Sequence, residues 1–262
     1  MSKYREAGGM GDNRDHCGIE IQNLALDYPV GQLSRGSVKA DMFSLFGAKQ
    51  KTAKVEFVRA IRGISLKVGA GERLGIIGRN GSGKSTLLRA MAGIYEPTSG
   101  VVEMHGRVQG MFDIGLGFES EATGRENILY RGLVMGLSPA QVRAREQEII
   151  EFAAIGDFID LPVRTYSSGM SVRLAFAIST YLEGDILLLD EMLGAGDASF
   201  QVKAAERMRS LVETAKVLVL VSHDMSTILN VCTRVIWLSK GRIVAEGKPD
   251  EVVEKYLADA SE

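Results

Sequence analysis

Several things are scarce or missing in this chain, and each absence closes off a class of protein. There are 2 cysteines in 262 residues, Cys17 and Cys232, at no spacing that suggests a partner. A disulfide framework is therefore unsupported, and two buried or unremarkable thiols in a reducing cytoplasm are expected. No apolar run approaches the roughly 20 residues that a membrane-spanning helix requires. Any work at a membrane then needs another component to cross it. The opening MSKYREAGGMGDNRDH has no hydrophobic segment of the secretory kind, and residues 1–18 read as a disordered tail. Charge of one sign is also lacking: 31 Lys and Arg face 33 Asp and Glu, for a net charge of -2. Without a basic field, nucleic acid is not an expected partner. Internal repeats and low-complexity tracts are absent. What remains is ordinary globular material, 45% hydrophobic and 24% charged, enough for one large α/β domain or two small ones.

The order of elements follows from the hydrophobic pattern. IEIQNLALDY (19–28) alternates and reads as a strand, as does AIRGISLKV (60–68). Between them lies a long loop, 29–58, with an apolar cluster at Met42, Phe43, Leu45 and Phe46. Those side chains either pack beneath the loop or touch a partner. ERLGIIG (72–78) is a short apolar strand, and KSTLLRAMAGIY (84–95) has helical spacing. VVEMHGRVQGMF (101–112) returns to strands. Two helices follow between 123 and about 155. The second starts at Ser138, with Pro139 in the first turn and Gln141 completing a capping box. DILLLDE (185–191) and VLVLVSHD (217–224) are apolar without alternation, as strands buried on both faces are. Helices are read at 200–215, over MSTILNVC and from Pro249 to about Ala258. RVIWLSKGRIVAEG (234–247) reads as a hairpin turning at Lys240-Gly241. Strands alternating with helices argue an α/β fold with a mostly parallel sheet.

GRNGSGKS (78–85) fits G-x-x-x-x-G-K-[ST] between a strand and a helix. Gly78, Gly81 and Gly83 let the backbone turn N–H groups around phosphate oxygens, with Arg79, Asn80, Ser82 and Thr86 completing the loop. Lys84 is expected at the β- and γ-phosphates of a nucleotide and Ser85 on Mg²⁺. The four apolar residues 186–189 bring Asp190 to the C-terminal edge of the sheet, where a carboxylate can hold Mg²⁺ directly or through water. Glu191 follows as the candidate general base for an attacking water. His223, after the other buried strand, reaches the same edge and can hydrogen-bond a γ-phosphate. His16 and His105 lack such a context. A guanine-reading Asn-Lys-x-Asp is missing, which disfavours a switch GTPase.

YSSGM (166–170) is ambiguous alone: a surface turn, a nucleophile or a phosphate-contacting loop. A hydrolase elbow needs G-x-S-x-G, which is not there. The order of phosphate loop, helical insertion, YSSGM, DILLLDE, GAGD and VSHD resembles the nucleotide-binding subunit of ABC transporters. YSSGM with RLAFA, GRNGSGKST, FDIGLGFESEATGRENI and GAGDASF looks like the members that export bacterial surface polysaccharides such as O-antigen, capsule and teichoic acid. The resemblance covers roughly residues 19–258. It implies a P-loop NTPase with a RecA-like core, an antiparallel β subdomain and an α-helical subdomain inserted over about 113–180. It further implies ATP and Mg²⁺ as cofactors, and a homodimer that sandwiches ATP. Ser167, Ser168 and Gly169 would form a signature loop that meets the nucleotide in trans, and Asp197 in GAGD would cross the dimer interface. Tyr166, Ser168 and Met170 depart from the family's Leu-Ser-Gly-Gly-Gln.

The family's glutamine upstream of RENI is replaced by MFDIGLGF, where Asp113 is the nearest polar candidate for the metal and coupling contact. Tyr28 is the choice for the aromatic that stacks on adenine, with Phe57 in reserve. The expected partners are two copies of an integral membrane permease and, indirectly, a lipid-linked polysaccharide. The expected location is peripheral, on the cytoplasmic face of the inner membrane. An exporter of another cargo and a non-transport ABC ATPase remain the alternatives. Because the sequence ends at Glu262, soon after its last helix, no glycan-binding domain is expected behind it.

Overall fold

The computed structural model describes residues 4–6, 17–30, 56–112, 117–182, 184–190 and 198–260. Strands β1 (Tyr4–Glu6), β2 (Gly18–Val30), β3 (Glu56–Gly69) and β5 (Ser99–His105) make a four-stranded sheet in the order β1-β5-β2-β3. Its β2–β3 and β2–β5 pairs are antiparallel. The second sheet holds six strands in the order β10-β9-β4-β8-β7-β6. They are β4 (Arg73–Ile77), β6 (Val108–Met111), β7 (Ile186–Asp190), β8 (Val217–Val221), β9 (Arg234–Ser239) and β10 (Arg242–Gly247). All neighbours in it are parallel except β10, which forms the expected hairpin with β9. A mostly parallel sheet beside a mostly antiparallel one matches the expected α/β fold and the antiparallel subdomain that the resemblance implies.

The non-alternating strands are explained by burial on both faces. In β7, Ile186 and Leu188 face one hydrophobic cluster and Leu187 and Leu189 another. In β8, Val217, Val219 and Val221 join the first, and Leu218 and Leu220 the second. Each fully buried aliphatic side chain contributes about 1.5–3 kcal/mol. The first cluster lies between the two sheets and encloses helix α1 (Lys84–Met91) through Leu87, Leu88 and Met91. The second is covered by helices α5 (Ala198–Thr214), α6 (Met225–Val231) and α7 (Pro249–Ala260).

A third cluster belongs to helices α2 (Gly124–Val134), α3 (Pro139–Ala153) and α4 (Ser168–Tyr181). The Ser138–Gln141 capping box at the start of α3 is present, with Ser138 N donating to Gln141 Oε1 over 2.8 Å. A second box, not read from the sequence, starts α2 at Thr123 and Glu126. Helix α4 ties this unit to the sheets. Its Leu174, Ala177 and Ile178 face the helices, whereas Phe176 packs against Phe152 and Phe200 at ring separations of 6.0 and 5.7 Å.

Two expectations change. The tail is not wholly without structure, because Tyr4–Glu6 pairs in parallel with Val102–Met104 on the outer side of β5. The 29–58 loop is shorter than read: the β2–β3 ladder continues to Val30↔Glu56, so 29–30 and 56–58 belong to strands. Met42, Phe43, Leu45 and Phe46 lie outside the described residues.

Candidate nucleotide site

The phosphate loop is shaped by its neighbours as much as by its own glycines. Gly78 follows β4 with φ 148, and a Cβ there would collide with the Leu238 carbonyl oxygen on β9. Only glycine lets the loop leave the sheet at this point. The loop is also held from outside by the β9–β10 turn. Lys240 and Gly241 both have positive φ, 47 and 76, in a two-residue hairpin. Gly241 N donates to Ser82 O over 2.9 Å, and Arg62 N on β3 donates to Gly241 O over 2.8 Å. The hairpin tip thus clamps the phosphate loop to the antiparallel sheet.

Lys84 is buried, and its Nζ donates to the carbonyls of Gly78 at 2.7 Å and Arg79 at 3.1 Å. These contacts curl the side chain back over the loop. Helix α1 has no side-chain cap and no acidic residue in its first turn. Helices α2, α3, α4 and α6 are capped by Thr123, Ser138, Ser167 and Asp224. The first-turn N–H groups of α1 therefore point at the loop, a ready site for an anion. Ser82 Oγ is buried with no hydrogen-bond partner among the described residues.

The loop opens into a cavity of about 400 Å³, in the size range of a small-molecule site. Lys84, Ser85 and Thr86 from the start of α1 line it together with Asp190 and His223 from beside the ends of β7 and β8. Asp190 ends β7 opposite Val221, the last residue of β8, so the parallel register delivers Asp190 and His223 to one sheet edge. His223 is exposed, and Asp224 beside it caps α6 by accepting from Ser226 and Thr227. The Thr227 and Ser226 hydroxyls pull the Asp224 carboxyl down to about 2. A phosphate chain fits this lining: an uncapped helix start and a buried ammonium both donate to it, and the unpartnered Ser82 hydroxyl belongs to the same loop. The Ser85 hydroxyl and the Asp190 carboxylate are oxygen ligands of the kind Mg²⁺ takes.

Tyr28 does not line the cavity but touches a residue that does. Its Oη donates to Thr86 Oγ1 over 3.4 Å, and its ring meets Tyr95 edge-on at 5.4 Å. Burial raises its pKa. Phe57 pairs with Pro29, one position out of step with Tyr28↔Val58, so strand alternation puts its side chain on the other face, 65% exposed. YSSGM is elsewhere: none of residues 166–170 lines the cavity. Ser167 caps α4 by accepting from Met170 N over 3.2 Å, and Ser167 and Ser168 are exposed.

Comparison with known proteins accords with this geometry. Residues 61–194 match the family model described as ABC transporter. The O-antigen export system ATP-binding protein RfbB of Klebsiella pneumoniae is 40% identical, over 91% of this chain and 96% of that protein. The chain belongs to the ABC transporter family. It is an ABC ATPase. The protein of the same name from Myxococcus xanthus is 44% identical over 83% of this ABC chain, which spans 50% of that relative's length. Among solved structures, a dimeric ATP-binding cassette in a post-hydrolysis state with ADP and Pi superposes with a TM-score of 0.63. That match covers 88% of this chain and 98% of the other at 22% identity, and it speaks to the fold.

Among the residues singled out from the ABC chain's sequence, the structure gathers Asn80, Gly81, Gly83, Lys84, Ser85, Thr86, Asp190 and His223 around one cavity. Gly78 and Ser82 lie beneath it in the loop. Glu191, Asp197 and Asp113 fall outside the described residues. Two further lining residues, Phe112 and Val221, were missed. Val221 ends β8 and Phe112 directly follows β6, and only the alignment of strand ends tells such a residue from core. The sequence marks Gly241 only as a turn residue, because its contact with Ser82 spans 159 residues.

Proposed function

We propose that this chain is the ATP-hydrolysing subunit of an exporter that moves lipid-linked surface polysaccharide across the cytoplasmic membrane through a separate membrane subunit. The observation that carries the reading is spatial. The phosphate cavity collects Lys84, Ser85, Asp190 and His223, yet the signature segment Ser167–Gly169, in which both serines are exposed, is not part of it. A second copy, docked head to tail, would bring its loop to this cavity, and ATP would then hold the two together.

In that assembly Lys84 and the start of α1 bind and orient the phosphates. Ser85 and Asp190 hold Mg²⁺, which when bound supplies charge neutralisation on the phosphate oxygens. Tyr28 offers its face to the adenine. Glu191 takes the proton of the attacking water, His223 donates to the γ-phosphate, and Asp197 reaches across the interface. Asp113 is the contact toward the membrane subunit. Two copies of a permease form the pathway, and this subunit sits on the cytoplasmic face beneath them. None of the helices among the described residues is long and apolar enough to cross a membrane. The cargo class is supported by relatives named for O-antigen export.

Two experiments test this. Glu191→Gln should give an ATP-dependent dimer by size exclusion, and a variant that stays monomeric with ATP counts against the sandwich. Replacing the native gene with Lys84→Ala should deplete the cell surface of polysaccharide and leave lipid-linked chains inside. Unchanged surface glycan with ATPase activity abolished removes the export reading.

A further inference from the structure

Tyr166 stands where the family's signature motif has leucine, and its hydroxyl is used. A leucine would satisfy the apolar surroundings, where Tyr166 packs against the cluster of Ile128, Ile159 and Leu174. It could not make the polar contacts. Tyr166 Oη donates to the Phe158 carbonyl over 2.6 Å, within the 3-10 turn Gly156–Asp160. The backbone N–H of Gly124, in the first turn of α2, interacts with the same oxygen. Gly124 is the residue that makes room, since a Cβ on it would collide with Tyr166 Oη.

This contact closes a longer seam. Val163 N donates to Ala122 O at 2.9 Å and Arg164 N to Ser120 O at 3.0 Å. Thr123 and Pro162 form a β-bridge. Arg164 Nε meets Glu121 Oε2 at 3.0 Å, and Arg125 Nε meets Asp160 Oδ1 at 2.7 Å. The segments 120–125 and 158–166 are thereby joined as one body. Tyr166 is the last residue of that seam, and the exposed Ser167 and Ser168 follow it directly. Burial raises the Tyr166 pKa, so the hydroxyl keeps its proton near neutral pH and remains a donor.

We propose that the Tyr166 hydroxyl is a positioning group: by locking onto Phe158 O and the start of α2, it sets Ser167–Gly169 at the angle needed to meet a second copy's nucleotide. This rests on the trans-acting reading of the signature loop given above. The group touches no nucleotide itself, so its effect should fall on dimerisation and spare ATP binding by the chain's own phosphate loop.

The test compares variants in a Glu191→Gln background. ATP affinity is measured by equilibrium dialysis at dilute protein, and ATP-dependent dimerisation by sedimentation across a concentration series. Tyr166→Phe should weaken dimerisation about three- to tenfold, the size of one or two lost hydrogen bonds, with dilute-protein ATP affinity unchanged. Gly124→Ala should do the same by pushing the hydroxyl away. Adding it to Tyr166→Phe should cost less than the sum of the two, because the tightest clash, with Oη, is gone and only the movable ends of Ile159 and Leu174 crowd the methyl group. Unchanged dimerisation of Tyr166→Phe, or fully additive losses in the double variant, overturns the positioning role. So does a parallel loss of ATP affinity at dilute protein, which marks a folding defect. If the Glu191→Gln parent itself stays monomeric with ATP, the trans reading fails and the role of Tyr166 fails with it.

Discussion

Replacing Gly241 with alanine probes whether the β9–β10 turn supports the phosphate loop from outside. Gly241 has φ 76, and a Cβ there would collide with the Ala60 carbonyl oxygen of β3, a backbone atom with little freedom to move. Two effects add. Holding an L-residue in the left-handed region costs about 1–2 kcal/mol. Shifting the turn to relieve the collision stretches the Gly241 N to Ser82 O and Arg62 N to Gly241 O bonds, worth about 0.5–1.5 kcal/mol each. The sum is about 2–5 kcal/mol, which for a domain of this size lowers Tm by roughly 4–20 °C. Because Ser82 belongs to the phosphate loop, ATP affinity should fall as well. Gly71→Ala is the control. Its φ of 83 imposes the same strain, but nothing lies within 4 Å of the new methyl group. That control should lower Tm less and leave ATP binding intact. The assay is thermal unfolding followed by ATP titration of both variants. If Gly241→Ala melts no lower than Gly71→Ala and binds ATP normally, the turn does not support the loop.

Other outcomes follow from single features. Asn127 is fully buried, accepts from Glu119 N at 2.8 Å and donates to Glu119 O and Thr123 O. Asn127→Leu leaves Glu119 N unpaired, while Glu119 O and Thr123 O keep the backbone N–H groups of residues 122 and 127, and it should cost about 1–3 kcal/mol by urea denaturation. Burial pushes the Cys232 thiol up to about 12, whereas Cys17 is only partly buried. Iodoacetamide at mildly alkaline pH should then label Cys17 in the native protein and reach Cys232 only after unfolding, as read by mass spectrometry. For Asp224 the folded pKa of about 2 lies below its ordinary 3.8, so its charged cap stabilises above the ordinary value and is lost as pH falls toward 2. The gap in urea midpoint between wild type and Asp224→Asn should narrow over that window.

Much of the scaffold was legible because its signals are local. The capping box at Ser138–Gln141 needs four residues, and the doubly buried strands 186–190 and 217–221 announce themselves by lacking alternation. Strand β1 escaped because three residues carry no periodicity, and its partner β5 lies about a hundred residues away. Phe112 and Val221 were hidden for a related reason. An apolar residue at a strand end looks like core until the register aligns the ends of β6, β7 and β8 around one opening.

By itself, the sequence determined the chemistry available: a glycine-rich loop before a helix, acids and a histidine after buried strands, and a serine-glycine turn ahead of another helix. These are contiguous patterns whose backbone demands are set within a few residues. Only the tertiary structure decided how they are held and grouped. It placed the tip of a distant hairpin against Ser82, because a backbone hydrogen bond across 159 residues leaves no local trace. It set the Tyr166 hydroxyl between Phe158 and Gly124 and kept YSSGM away from the chain's own cavity. Which groups share a site is fixed by packing and register, and those are properties of the folded chain.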